Sequence, residues 1–178
     1  MSKAVLSLGS NLGDRLSYLR LAVEGLADVL TAASPVYETA AWGVTDQPDF
    51  LNAVVLAESD EMNEWDWLHR AQALEREAER RREQRWGPRT LDVDVVAVDA
   101  VHSDHPDLLL PHPGTPSRAT VLIPWVAVDP AAELPGHGPV TALLGALLGD
   151  DEHVGTGVDP GSSEVAPGIH RRDDLTLR

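Results

Sequence analysis

One soluble domain that mixes strands with helices is what this sequence predicts, and three observations predict it. The chain has 178 residues, the size of a single domain and enough to bury about 70% of its unfolded surface. Its apolar and charged shares, 43% and 24%, are those of an ordinary soluble protein. Its apolar residues alternate with period two in some stretches and recur at helical spacing in others. No stretch approaches the roughly 20 apolar residues that span a bilayer. Residues 1–8 lack the layout of a secretory signal. Cysteine is absent, which excludes disulfides, zinc–thiolate sites and thiol catalysis and fits a cytoplasmic location.

The elements follow in order. Residues 3–8 alternate as a strand, with Ala4, Leu6 and Leu8 on one face. Gly9-Ser10-Asn11-Leu12-Gly13-Asp14 is a turn, and Asp14 is placed to cap a helix whose apolar residues are Leu16, Leu19, Val23, Leu26 and Leu30. The turn lacks the P-loop lysine and the full dinucleotide fingerprint, so it reads as a plain turn. Residues 36–39 form a short second strand and 40–49 a loop. Residues 50–57 form a third strand, with Phe50, Asn52, Val54 and Leu56 on one face. Asn52 is a polar interruption of an apolar row: either an edge amide bonded to backbone, or an amide that reads a ligand. Residues 61–82 form a long second helix with an apolar stripe through Trp67 or Leu68, Ala71, Leu74 and Ala78. Gln72, Glu75 and Glu79 share another face, which spacing alone reads as solvated. Residues 85–89 are a breaker-rich loop. Residues 90–99 form the fourth strand, with Leu91, Val93, Val95 and Ala97 on one face and Asp92, Asp94, Val96 and Val98 on the other. After His102 the prolines make the chain irregular; 118–128 is apolar and interrupted by Pro124, and 140–148 is a last short helix. From 149 onward Asp, Glu, Gly, Pro and Ser dominate without apolar periodicity. Residues 1–149 are therefore expected to form the working domain and 150–178 a disordered acidic tail.

Charge carries the first functional clue. Lys+Arg total 14 against 29 Asp+Glu, a net charge of −15. Such a body repels nucleic acid and anionic membranes. Yet five arginines crowd between positions 76 and 85, and Arg89 follows. Just beyond them, Asp92 and Asp94 project from one side of a strand, their Cα atoms about 7 Å apart. A bare pair of this kind reads first as a charged, exposed strand face; the other reading is a site for hard divalent cations, which substrate phosphates complete. Arginines beside acidic metal ligands are the mixture that phosphoryl transfer needs. Trp86 in the adjoining loop adds a ring able to pack on a base. The residues point to a Mg-nucleotide phosphotransferase. A competing reading is an Arg/Trp module for single-stranded nucleic acid, which the net charge and the acidic pair oppose.

The segment Arg85-Trp86-Gly87-Pro88-Arg89-Thr90-Leu91-Asp92-Val93-Asp94 resembles the signature of the 6-hydroxymethyl-7,8-dihydropterin pyrophosphokinases of folate biosynthesis. Gly9 to Asp14, Tyr37-Glu38-Thr39, Gln47-Pro48-Asp49-Phe50-Leu51-Asn52-Ala53 and Pro111-His112-Pro113 agree in order, over about residues 3–135. The resemblance implies an α+β fold with a ferredoxin-like core, a mostly antiparallel sheet with helices on both faces. It implies a cytoplasmic monomer that transfers pyrophosphate from ATP to the pterin hydroxymethyl group and releases AMP, without nucleic-acid or membrane partners. Asp92 and Asp94 match ligands of two Mg²⁺ ions. Arg80, Arg82 and Arg89 match arginines that handle the phosphates; Gln72, Glu75, Trp86 and His112 match the ATP site; Thr39, Ala40, Trp42, Phe50 and Asn52 match the pterin pocket. Three departures stand out: Glu79 replaces a glycine, Ala40 and Ala41 stand where proline is common, and Thr120 replaces a phenylalanine that sandwiches the pterin. A chain of the same fold with altered pterin preference or lost activity is the alternative they raise.

Overall fold

In a computed structural model the protein is described over residues 1–40, 48–80, 90–149 and 163–178. Two long strands form the middle of an antiparallel sheet. β1 (Ser2–Ser10) pairs with β4 (Phe50–Ser59) from Ser2 opposite Ser59 to Ser10 opposite Leu51. β2 (Leu30–Ala33) and β3 (Tyr37–Thr39) both lie along the outer side of β4, and β5 (Asp92–Val98) lies beyond β1 at the sheet's edge. Alternation sends Leu6, Leu8, Leu51, Ala53, Val55, Val93 and Val95 to one face. There they pack on α1 (Arg15–Gly25) and α2 (Glu64–Arg80) through Leu19, Trp67, Ala71 and Leu74. Val54, Val96 and Ala97 face the other way, against Val121, Leu122 and Trp125 of α3 (Ala119–Val128) and Val140 of α4 (Val140–Leu148). A sheet between two pairs of helices is the expected α+β architecture. β6 (Ser103–His105) with β7 (Leu108–Leu110), and β8 (Glu133–Leu134) with β9 (Gly138–Pro139), form two small hairpins outside it. Among the described residues no helix is long and apolar enough to cross a membrane.

Three elements depart from expectation. α1 starts where Asp14 predicts, its carboxylate accepting from the Ser17 N–H at 3.2 Å, and Gly13 turns into it at φ +66°, a conformation that costs glycine little. It stops at Gly25, short of the expected residue 30. A Cβ at Gly25 would lie 2.3 Å from Leu74 Cδ2, and the Gly25 carbonyl accepts from the Arg70 guanidinium at 2.7 Å. Leu26 is fully buried all the same, so the apolar spacing survives the end of the helix.

The fourth strand does not alternate to its end. Its pairing with β1 shifts between Val5 and Leu6, so that Leu6 faces Val95 while Val5 faces Ala97. Val96 is the extra residue of this bulge. Beyond it Ala97 sits on the α3 face and Val98 on the α1 face, the reverse of a strictly alternating strand.

The disordered tail is corrected over 163–178. β10 (Glu164–Ala166) and β11 (Ile169–Arg171) form a hairpin that adds to the main sheet, Ile169 opposite Thr39 and Arg171 opposite Tyr37. The sheet order is thus β10–β11–β3–β4–β1–β5. Ala166, Ile169 and Leu177 are buried. Strands this short need few apolar residues when their backbone groups find partners on an existing edge. Residues 150–162 lie outside the described residues.

Candidate active site

The α3 face of the sheet is left open at the end where β1, β3, β4 and β5 meet. A cavity of about 310 Å³ lies there, lined by Ser7, Gly9, Thr39, Ala40, Phe50, Asn52, Asp92 and Asp94 from the sheet and by Arg118, Thr120 and Val121 from the start of α3. Registry explains the arrangement. Asn52 stands opposite Gly9, and Gly9 opposite Asp92. Three residues thus share a row across three strands, with about 10 Å between the outer Cα atoms. Gly9 contributes no side chain to that row, so the space between amide and carboxylate stays open. A Cβ at Gly9 would come within 3.3 Å of Asn52 Oδ1. One row away, Ser7 stands between Val54 and Asp94.

Asn52 is not bonded as an edge amide. Its Nδ2 donates to Thr39 Oγ1 at 2.9 Å, and Thr39 is buried. One N–H of the amide is thereby used and its orientation set. The second N–H and the carbonyl oxygen keep the capacity to meet a ligand that presents both an acceptor and a donor. Phe50 and Thr39, opposite each other in the β3–β4 ladder, supply a ring and a hydroxyl on the same wall.

A second cavity of about 260 Å³ wraps the edge strand β5 and is lined by Leu68, Gln72 and Glu75 of α2, by Asp94, by Pro106 to Leu109 and by His112 and Pro113. Gln72 and Glu75 also border a further hollow with Arg76, Glu79 and Leu91. The polar row of α2, which spacing alone reads as solvated, therefore forms cavity walls. His112 is held by its backbone, its N–H donating to the Val96 carbonyl at 2.8 Å. Asp94, on the edge strand between them, lines both cavities.

Thr39, Ala40, Phe50, Asn52, Asp92 and Asp94 thus come together in the first cavity, and Gln72, Glu75, Asp94 and His112 in the second. Arg80 joins neither. It ends α2 with its side chain 70% exposed and paired to Glu77. Trp42, Arg82, Trp86 and Arg89 lie outside the described residues. Sequence reading missed Ser7, Val121 and above all Arg118. The signal for Arg118 was a lone cation opening an apolar stretch. Gly114 makes room for it: a Cβ there would sit 3.0 Å from Arg118 Nε. Thr120, in the place of the expected phenylalanine, does line the cavity. Among the described residues no group of three or more His, Cys, Asp or Glu gathers to hold a metal. Two half-buried carboxylates in one cavity, Asp92 and Asp94, nonetheless suit a hard cation whose other ligands are water and substrate phosphates.

Residues 5–130 match the family model for 7,8-dihydro-6-hydroxymethylpterin-pyrophosphokinase. The chain is 50% identical over 159 residues to the 2-amino-4-hydroxy-6-hydroxymethyldihydropteridine pyrophosphokinase of Mycobacterium tuberculosis, covering 83% of this chain and 85% of that protein. It is 41% identical over 129 residues to the enzyme of the same name from Bacillus subtilis, covering 70% and 77%. Among solved structures it resembles an HPPK-DHPS in complex with substrates, with a TM-score of 0.69 at 9% identity, and the wild-type Plasmodium falciparum HPPK-DHPS, with a TM-score of 0.68 at 11% identity. The likeness covers 96% of this chain but only 46% and 48% of those longer ones, and it shows the shared ferredoxin-like fold.

Proposed function

Because the chain belongs to the 7,8-dihydro-6-hydroxymethylpterin-pyrophosphokinase family, an ATP-dependent family of folate biosynthesis, we propose that it divides pyrophosphate transfer between two cavities that meet at Asp94. The observation that carries this reading is the position of one residue: Asp94 lines both the pocket of Asn52 and the pocket of Gln72, Glu75 and His112. A two-substrate transfer needs such a junction, because proximity and orientation supply much of the rate.

In this reading the pterin lies in the first cavity. Asn52 pairs with its mixed donor–acceptor edge, Thr39 holds the amide in place, Phe50 offers a ring to pack on and Arg118 a cation at the wall. ATP lies in the second cavity against Gln72, Glu75 and His112. Asp92 and Asp94 would hold Mg²⁺, two ions in the family pattern, which when bound neutralises phosphate charge and makes phosphorus easier to attack. The two pockets bring the pterin hydroxymethyl oxygen toward the β-phosphorus. A bond forms from that oxygen to the β-phosphorus, the bond from the β-phosphorus to the oxygen of the α-phosphate breaks, and AMP leaves as the hydroxyl proton is released. Arg80, Arg82 and Arg89 handle the phosphates, Trp86 closes over the substrates and Trp42 belongs to the pterin pocket in the same reading, which for these residues rests on the family resemblance. The net charge of −15 supports a protein without nucleic-acid or anionic-membrane partners, read as a cytoplasmic monomer.

Nucleotide chromatography tests the reaction. With ATP, Mg²⁺ and 6-hydroxymethyl-7,8-dihydropterin, AMP and pterin pyrophosphate should appear in equal amounts. ADP as the main product would leave a phosphotransferase but refute pyrophosphate transfer.

A further inference from the structure

β3 ends at Thr39 of the acceptor pocket and Ala40, of the same pocket, follows it, yet the strand is only three residues long. A strand so short has little hold of its own on the sheet. Its inner edge pairs with β4 through Tyr37–Asn52, Glu38–Leu51 and Thr39–Phe50. Its outer edge is closed by the C-terminal hairpin: the Ala40 N–H donates to the Gly168 carbonyl at 3.1 Å, and the Arg172 N–H to the Val36 carbonyl at 2.8 Å. Gly168 turns the hairpin at φ +73°, where a side chain would be strained, and its N–H donates to Glu164 Oε1 at 2.9 Å.

Behind the strand lies a second hold. Period two turns Glu38 away from Thr39, and its carboxylate is gripped from both sides. Arg172 donates to Oε1 at 2.9 Å and Arg15 to Oε2 at 2.8 Å. The same Arg15 donates to the Asp49 carbonyl at 2.7 Å, immediately before Phe50. Arg172 is in turn fixed by Asp174 at 2.9 and 2.8 Å. The hairpin also reaches the opposite wall of the pocket, since Ile169 and Ala166 pack in one cluster with Tyr37 and with Ile123 of α3. α3 brings Thr120 and Val121 to the cavity.

We propose that the C-terminal hairpin is the positioning element of the acceptor pocket: through the Gly168 carbonyl and the Arg172–Glu38–Arg15 clamp it sets where Thr39 presents the Asn52 amide. The inference rests on the pterin reading of that pocket. Arg172 is a positioning residue, remote from the reacting atoms. The nucleotide cavity lies at the opposite edge of the sheet, beyond β4 and β1, so the hairpin should govern one substrate and leave the other alone.

The test uses the full chain and two ligands, 6-hydroxymethyl-7,8-dihydropterin and a non-hydrolysable ATP analogue with Mg²⁺, with affinities from fluorescence and calorimetry. Arg172→Gln should weaken pterin binding at least fivefold while leaving the nucleotide within twofold, and Arg172→Lys should recover most of the loss. Glu38→Gln, which releases both arginines, should give the same selective loss. Pterin affinity within twofold of wild type in both variants would overturn the proposal. So would equal weakening of both ligands in step with a lowered melting temperature, the mark of a merely structural role. Absence of pterin binding by the wild-type chain would instead overturn the reading of the pocket itself.

Discussion

Asn52→Leu separates what the amide does for the fold from what it does for the substrate. The side chains are close in size. The free protein loses one hydrogen bond, from Nδ2 to Thr39 Oγ1 at 2.9 Å, worth about 1 kcal/mol net. It gains an apolar group on a strand face that continues as Val54 and Leu56, which offsets a similar amount. Stability should therefore stay within about 1 kcal/mol, or roughly 4 °C in melting temperature at this size. Substrate binding has no such compensation. The amide keeps one N–H and one carbonyl oxygen for the ligand, and leucine would leave the matching groups of the pterin unpaired in the cavity. At about 1–2 kcal/mol for each stranded group, the two cost about 2–4 kcal/mol, or roughly 30- to 1,000-fold in kcat/KM. Steady-state kinetics in the pterin at saturating ATP, alongside calorimetric melting, measure both numbers. A fall of less than fivefold in kcat/KM in a variant that melts normally would refute the role given to Asn52. A parallel rise in KM for ATP would show that the damage is not confined to the acceptor pocket.

Asp94→Ala should cut turnover at least tenfold, more than about 1.4 kcal/mol of barrier, at saturating Mg²⁺ with a normal melting temperature; a variant that retains more than a tenth of wild-type rate contradicts the carboxylate's place at the junction. Alkaline pH should loosen the C-terminal cluster. Burial pushes the Tyr37 phenol above its usual 10.0, against the nearby Arg171 cation. A raised folded-state value means that the neutral phenol contributes stability below about pH 10, and that this is lost as the pH rises through the folded value. Wild type should lose melting temperature more steeply above pH 10 than Tyr37→Phe, and identical slopes would show that Tyr37 does not titrate with unfolding.

Legibility followed contrast between neighbouring residues. Asn52 stood out because Phe50, Val54 and Leu56 share its row, and the structure keeps them on one face. Asp92 and Asp94 were visible for the same reason. The bulge at Val96 was not, because Val95-Val96-Ala97-Val98 offers no polar residue to mark which face each one takes. Spacing alone read Gln72 and Glu75 as solvated and only the family resemblance marked them, because the walls they share a cavity with, the β5 edge and the His112 loop, come later in the chain. The C-terminal hairpin was hidden by its brevity and its partner. Each strand buries one apolar residue, Ala166 and Ile169, among charges, and the edge it completes lies more than a hundred residues earlier, as the Arg172–Glu38 bond shows. Arg118 was passed over because its role depends on the turn at Gly114, which composition does not reveal.

The bulge in β5 has a bearing on how such a site can change. Removing Val96 would leave Ala97 opposite Val5 and Val95 opposite Leu6 in an unbroken ladder, so the sheet does not require the extra residue. What that residue supplies is a buried side chain on the α3 face and a carbonyl for the His112 N–H, two positions along the chain from Asp94. The spacing between Asp94 and His112 therefore depends on a residue that is redundant to the ladder. One bulge residue thus serves both the packing on α3 and the placement of His112, so a lineage cannot adjust either without disturbing the other.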